Sequence, residues 1–291
     1  RDKETGSRYG WRFMSIELKT GPLGASSQYA DGYSSDRLFS MPRVEGRIAV
    51  GLSGALDCCG QDVWTGYEFS WLNERGKPEV AVLRLTVAAE TSHIVESKSM
   101  KLYLNGYAQT RFESTSKVCD RLVEDLSQAF NGAVVVDLLS LAEPILGVSE
   151  LTGECLDELD VEITDYQRNP DLLVPAATRG AKKTPVTQVL TSHLFRSLCP
   201  VTAQPDWASV IVSYSGAAID QAGLLKYLIS YRQHQAFHET TVERIYVDIW
   251  ERCQPEKLSV SGRFLRRGGL DISPTRSSES QPMDVSRLAR Q

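Results

Sequence analysis

The chain has 291 residues, 42% hydrophobic and 24% charged, with a formal net charge of −5. That is globular composition with length enough for two domains, and the acidic balance argues against a general nucleic-acid or membrane-surface binder. No apolar run reaches the length of a bilayer span, and the charged start Arg1-Asp2-Lys3-Glu4 lacks the apolar core of a signal peptide. Six cysteines, Cys58, Cys59, Cys119, Cys155, Cys199 and Cys253, are scattered through a chain too long to need disulfide staples. They read as free thiols in a reducing, cytoplasmic setting. The histidines His93, His193, His234 and His238 make no zinc spacing with them, so no metal is expected.

Residues 1–62 are rich in Gly, Ser and Arg, with weak periodicity; Gly21-Pro22-Leu23-Gly24 and Met41-Pro42-Arg43 predict extended or turn segments that wrap a core rather than form one. Regular structure is expected from Val63. Trp64 to Leu72 and Val80 to Val87 read as strands around the turn Asn73-Glu74-Arg75-Gly76-Lys77-Pro78. Met100, Leu104 and Tyr107 stand at helical spacing after Glu96. A second helix is predicted after Ser114 or Thr115, with Val118, Leu122, Leu126 and Ala129 on one face and a stop at Asn131-Gly132. Ala133 to Leu139 and Leu159 to Ile163 complete the half as two strands.

Residues 167–187, with Asn169-Pro170, Pro175, Arg179-Gly180, Lys182-Lys183 and Pro185, have linker composition. The order then repeats. His193 to Val201 and Trp207 to Tyr214 are strands, and Asp220 caps a helix bearing Leu224, Leu225, Leu228 and Ile229. A second helix after His238-Glu239 carries Val242, Ile245, Ile249 and Cys253. Lys257 to Phe264 and Leu270 to Ile272 are strands, and the tail from Ser273 reads as polar and loose. The organisation is an extension (1–62), a module (63–166), a linker (167–187) and a second module (188–291). Each module is an α+β unit, an antiparallel β-β-α-α-β-β sheet with two helices on one face, and the repeat has diverged in sequence. Such a sheet leaves its edges and far face uncovered, so the modules should join edge to edge with sites at their interfaces.

The stretch from Ser197 to Trp207 places Cys199 and Asp206 seven positions apart, with Pro200 and Pro205 between them. Each proline fixes its own φ and disfavours helix before it, so the segment reads as strand, stiff turn, strand. A loop held this way can aim a thiol and a carboxylate at one point, the thiolate as nucleophile and the acid as proton carrier. The plainer alternative is a structural thiol beside a turn aspartate. Glu96 and Glu239 occupy comparable places in their halves, near a helix start, where a carboxylate either binds a guanine-like edge or complements the helix dipole. His238 is a proton relay, a substrate donor or a helix-junction histidine; His193 and His234 have only the last reading. Arg263, Arg266 and Arg267 with Gly268-Gly269 make a cationic turn suited to a phosphate-bearing cofactor or to a solvated hairpin end, and Lys98 and Lys101 add to the same field. No Gly-x-Gly-x-x-Gly or Walker loop is present.

Taken together, Glu96-Ser97-Lys98-Ser99-Met100-Lys101-Leu102-Tyr103, Cys199 with Gln204-Pro205-Asp206-Trp207, Phe237-His238-Glu239 and Arg266-Arg267-Gly268-Gly269-Leu270-Asp271 resemble QueF-type enzymes, the NADPH-dependent 7-cyano-7-deazaguanine reductases. The likeness runs in order over residues 62–274 and is to the long, two-module branch. It implies tandem T-fold (tunnelling-fold) modules, NADPH as cofactor, and reduction of the nitrile to an aminomethyl group in queuosine biosynthesis, a tRNA-modification pathway. The resemblance further implies catalysis by Cys199, through a thioimide, with Asp206 and His238. Substrate binding would fall to Val95, Glu96, Ser97, His238 and Glu239, and cofactor binding to Ser97, Lys98, Arg267 and Gly268. The implied partner is a small molecule, with no direct nucleic acid and no membrane, in a homodimer. The alternatives are a GTP cyclohydrolase-like enzyme, against which Pro200 stands where a zinc site would want a histidine, and a T-fold purine- or pterin-binding protein, which needs neither Cys199 nor Asp206. Cys58-Cys59 has no assigned role.

Overall fold

The computed structural model describes residues 32–52, 56–142, 147–180, 184–280 and 286–291. Gly21-Pro22-Leu23-Gly24 and Lys182-Lys183 lie outside the described residues. Two short elements, β1 (Ser40–Pro42) and α1 (Arg43–Ala49), precede the first long hairpin of β2 (Cys59–Asn73) and β3 (Pro78–Ala88). Asn73 Oδ1 accepts from the N–H groups of Arg75 and Lys77, which closes that turn. β4 (His93–Val95) pairs with β1 and leads into α2 (Ser97–Asn105). Past the short β5 (Arg111–Phe112), α3 (Thr115–Phe130) starts where the Ser114 side chain accepts from Lys117 N–H and stops where Asn131 turns left-handed at φ 50°. β6 (Val134–Leu139) returns beside β3.

After the short β7 (Val148–Ser149) and β8 (Glu154–Cys155), the second hairpin is β9 (Pro185–Leu198) and β10 (Pro205–Ala217). The Asp220 carboxylate caps α4 (Gln221–Ile229) through Gly223 N–H, and α5 (His238–Cys253), β11 (Lys257–Phe264) and β12 (Leu270–Ser277) follow. β13 (Arg287–Leu288) pairs with β7 over the sheet's far face, where Gln291 Nε2 donates to Ser273 Oγ.

The mixed α+β fold is built on one nine-stranded sheet in the order β6-β3-β2-β12-β11-β10-β9-β8, with β5 beside β2. Its joint is β12 against β2, antiparallel from Leu270–Gly66 to Ser277–Cys59. A Cβ at Gly60 would stand 2.1 Å from Thr275 O, so the close approach of these strands requires glycine there. Because side chains alternate along a strand, Leu270 and Ile272 reach the core under α2 and α3, while Arg276 on the same face reaches Glu243 of α5. The other core gathers Leu224, Leu228, Val242, Ile245 and Ile249 over Val210, Val212 and Val260.

Three expectations change. Leu159 to Ile163 forms no strand; its alternation is real, but it serves to lay Val161 and Ile163 against the second core without a ladder partner. The first half therefore contributes three long strands, β2, β3 and β6, rather than four. The segment from Ser273 is not loose: Ser273, Thr275, Arg276 and Ser277 are buried in β12, because their polar groups meet partners across the strand rather than water. β2 and β9 begin at Cys59 and Pro185, a few residues before 63 and 188.

The extension also does more than wrap. Arg43 of α1 pairs with Asp62 of β2 at 2.7 Å, and Arg47 forks onto both Glu243 oxygens at 2.9 Å. Fully buried Arg276 bridges the same two acids, at 2.7 Å to Asp62 and 2.9 Å to Glu243. Three arginines on two carboxylates thus tie α1, β2, β12 and α5 together one helical turn from Glu239.

Candidate active site

A pocket opens where the halves meet. It is lined from the first half by Val95, Glu96, Ser97 and Lys101, and from the second by Cys199, Asp206, His238, Glu239 and Arg267. Trp64, Phe237, Leu265, Leu270 and Ile272 supply apolar walls. Cys199 sits at the tip of the β9–β10 hairpin: its N–H donates to Gln204 O at 2.9 Å and its carbonyl accepts from Ala203 N–H at 3.0 Å. Ala203 takes the left-handed φ of 54° that this closure demands. The thiol is partly buried, and all six cysteines are free.

Asp206 is buried, and its Oδ1 lies 2.6 Å from Arg267 Nη2 and 3.1 Å from His238 Nε2. Neither contact has hydrogen-bond geometry at that oxygen, so charge rather than a saturated bond surrounds it. The His238 ring stacks on Phe264, centroids 4.0 Å apart and planes 19° apart, which fixes its plane at the start of α5.

Glu96 caps α2, its oxygens accepting from Lys98 N–H at 2.7 Å and Ser99 N–H at 2.8 Å. Glu96 is at once the helix carboxylate and part of the pocket wall. Glu239 lies in the first turn of α5, buried beside Asp62; burial first, and the Asp62 charge second, push its carboxyl above the usual range. The two glutamates are not at equivalent places in the repeat. Glu96 precedes the first helix of its half, where Asp220 stands in the other, whereas Glu239 opens a second helix. Both were legible as helix-start acids, and the order of helices read from the sequence already set Glu96 at the first helix of its half and Glu239 at the second.

A neighbouring cleft is lined by Lys98, Lys101, Asn105, Gly268, Gly269 and Glu68. A Cβ on Gly268, at φ 60°, would press to 3.3 Å from Lys101 Cδ. Lys101 lines both cavities; burial first, then the Arg267 charge, lower its ammonium below the usual lysine value. Its place three residues after Lys98, and its positive charge, were the sequence signals for this. Two lysines and a glycine turn with open backbone match the chemistry of a phosphate-bearing cofactor. His193 lies apart from the pocket on Ser209, and His234 is half-buried against Tyr231, with its pKa pushed down to about 4 by desolvation. Among the described residues, no three His, Cys, Asp or Glu side chains cluster as a metal ion requires.

Residues 29–138 match the family described as nitrile reductase, 7-cyano-7-deazaguanine-reductase N-term, and residues 205–283 match the QueF-like protein family. The chain is thus of the nitrile-reductase class. It is 50% identical over 277 residues to the NADPH-dependent 7-cyano-7-deazaguanine reductase of Acidovorax ebreus (strain TPSY), covering 92% of this chain and 97% of that one. The proteins of the same name from Albidiferax ferrireducens (94% of this chain, 99% of that one) and Burkholderia orbicola (93% and 98%) are each 48% identical to it. The chain belongs to the family of NADPH-dependent 7-cyano-7-deazaguanine reductases.

Proposed function

We propose that this chain reduces the nitrile of 7-cyano-7-deazaguanine to the aminomethyl compound with two equivalents of NADPH, in queuosine biosynthesis. The observation that carries the reading is the convergence of Cys199, Asp206 and His238 with Glu96 and Glu239 in one pocket. Cys199 adds through sulfur to the nitrile carbon, giving a thioimide. Asp206 moves the proton to nitrogen, and His238 holds Asp206 and relays protons. Val95, Glu96, Ser97, His238 and Glu239 hold the deazaguanine, the two carboxylates meeting its N–H edge. Ser97, Lys98, Arg267 and Gly268 hold NADPH, with Lys101 beside them. NADPH, when bound, supplies the hydrides that take the C=N carbon to the amine. Covalent attachment holds the thioimide C=N bond in place for the first hydride; the C–S bond then breaks, returning the Cys199 thiol and leaving the imine that the second hydride reduces.

The architecture that best accounts for the sheet is a tandem T-fold, with an extension to residue 62, units near 63–166 and 188–291, and a linker at 167–187. We read the assembly as a homodimer: β6 ends the sheet with no further partner strand among the described residues. Free thiols and the absence of any membrane-length apolar helix among the described residues favour the cytoplasm. Anaerobic NADPH oxidation with the nitrile, scored for amine against carboxylic acid, tests the reaction. The amine with NADPH consumption is expected; the acid without it would make the protein a cysteine nitrile hydrolase. A monodisperse active monomer in light scattering would refute the dimer.

A further inference from the structure

We propose that Arg267 positions Asp206 for the first chemical step, before and independently of any contact with the cofactor. The inference rests on the thioimide reading. Arg267 Nη2 is 2.6 Å from Asp206 Oδ1 and also donates to Pro205 O, while Nη1 donates to Gln204 Oε1 at 3.1 Å. The guanidinium thus grips the exit of the Cys199 hairpin at three points. Its own backbone is fixed by a two-residue turn. Arg267 N–H donates to Leu270 O at 3.0 Å, with Gly268 and Gly269 left-handed at φ 60° and 79°, a geometry that glycine pairs adopt without strain. The turn points its members to different sides. Arg267 lines the Cys199 pocket, and Gly268 lines the neighbouring cleft with Lys98.

The charged and titratable groups around Asp206 come from four elements: Arg267 from the β11–β12 turn, His238 from α5, Lys101 from α2, and Cys199 from its own hairpin; Glu96 and Glu239 form the farther walls. In the first step the Cys199 S–H proton passes to the Asp206 carboxylate as sulfur bonds to the nitrile carbon. One π pair of the C≡N bond moves to nitrogen, which takes that proton from Asp206. No electrons are gained or lost, and no cofactor is required. Asp206 must therefore stay within reach of both sulfur and nitrogen. Arg267 holds it from one side and His238 from the other. Without Arg267 the carboxylate keeps only the lateral support of His238.

The test is the rate of Cys199 adduct formation with 7-cyano-7-deazaguanine in the absence of NADPH, for wild type, Arg267→Ala and Arg267→Lys, beside nitrile affinity in a Cys199→Ala background. Arg267→Ala should form the adduct at least ~10-fold more slowly. Arg267→Lys should recover part of that loss, since it restores the charge but not the fork. Nitrile affinity should change by less than about 3-fold, which shows the pocket intact. A wild-type adduct with an unchanged rate in Arg267→Ala, whatever happens to the Michaelis constant for NADPH, overturns this inference and leaves the thioimide reading standing. No adduct in the wild type overturns the thioimide reading itself.

Discussion

The two halves of the chain bury the same polar device. In the first, Tyr103 and Tyr107 bond hydroxyl to hydroxyl at 2.7 Å and Tyr103 donates to Asp125 at 2.8 Å. In the second, Tyr227 and Tyr231 do so at 2.7 Å and Tyr227 donates to Asp248 at 2.6 Å. The ring pairs match as well, with centroids 5.4 Å apart in each. The surroundings differ. Asp125 takes a further hydroxyl from Tyr33, whereas Asp248 is paired with Arg168 and Arg244. The hairpins differ more. The β2–β3 turn at Asn73-Lys77 ends in solvent, while the equivalent β9–β10 turn carries Cys199 into the junction. A common frame recurs in both halves, and the proposed chemistry draws on the ends of the frame that meet at the seam. The first half offers a helix start (Glu96, Ser97); the second offers a hairpin tip and a helix start (Cys199, Asp206, His238, Glu239).

The comparison breaks most sharply at the hairpins. Cys199→Ala should lower reduction by at least ~10³-fold while the nitrile still binds. Arg75→Ala at the other tip should stay within about 2-fold. Steady-state NADPH oxidation reads both, and comparable losses would dissolve the distinction. Asp206→Asn should cost about 10²- to 10³-fold in turnover with substrate affinity nearly kept, the signature of a lost proton carrier.

The twin clusters should differ in stability. Asp248→Ala removes the acid shared by two arginines, leaving Arg244, among acids, only its longer contact with Glu251 at 3.7 Å, and should cost about 3–5 kcal/mol. Asp125→Ala strands only hydroxyls and should cost about 1–3 kcal/mol. Urea unfolding of both variants measures the gap; equal costs would mean that the arginines do not set the second cluster apart.

The smallest effect belongs to the seam. Asp271 of β12 accepts from Tyr67 Oη at 2.7 Å, and burial pushes its pKa up to about 6. A folded-state value above the unfolded one, near 4, means that the folded chain binds this proton more tightly. Its stabilising contribution is full below about pH 4 and is lost as pH rises through about 6. Asp271→Asn should flatten that part of the stability–pH curve and gain about 1–3 kcal/mol above pH 7. A curve of unchanged slope would show that the carboxyl is not held this way.

Much of the frame could be read from residues. Both hairpins, the Ser114 and Asp220 caps and the stop at Asn131 follow from local chemistry that the structure retains. What escaped was long-range. Val161 and Ile163 alternate like a strand, but alternation reports one buried face and not a ladder partner. Arg276 looked like tail polarity because its partners Asp62 and Glu243 lie 214 and 33 residues away. The tyrosine twins share only three residues each, spaced four and then about twenty apart, too sparse for a repeat to register against diverged surroundings. The candidate site residues, from Val95 to Gly268, were legible through the resemblance. That Arg267 faces Asp206 while Gly268 faces the cleft was not, since a single turn can direct neighbours to opposite sides.

The most direct test of the account is the site of covalent attachment. Enzyme incubated with 7-cyano-7-deazaguanine, without NADPH, should gain the mass of one nitrile, and peptide mapping should place it on Cys199. An adduct on Cys58, Cys119, Cys155 or Cys253, or full reductase activity in Cys199→Ala, would contradict a reaction centred on the hairpin of the second half.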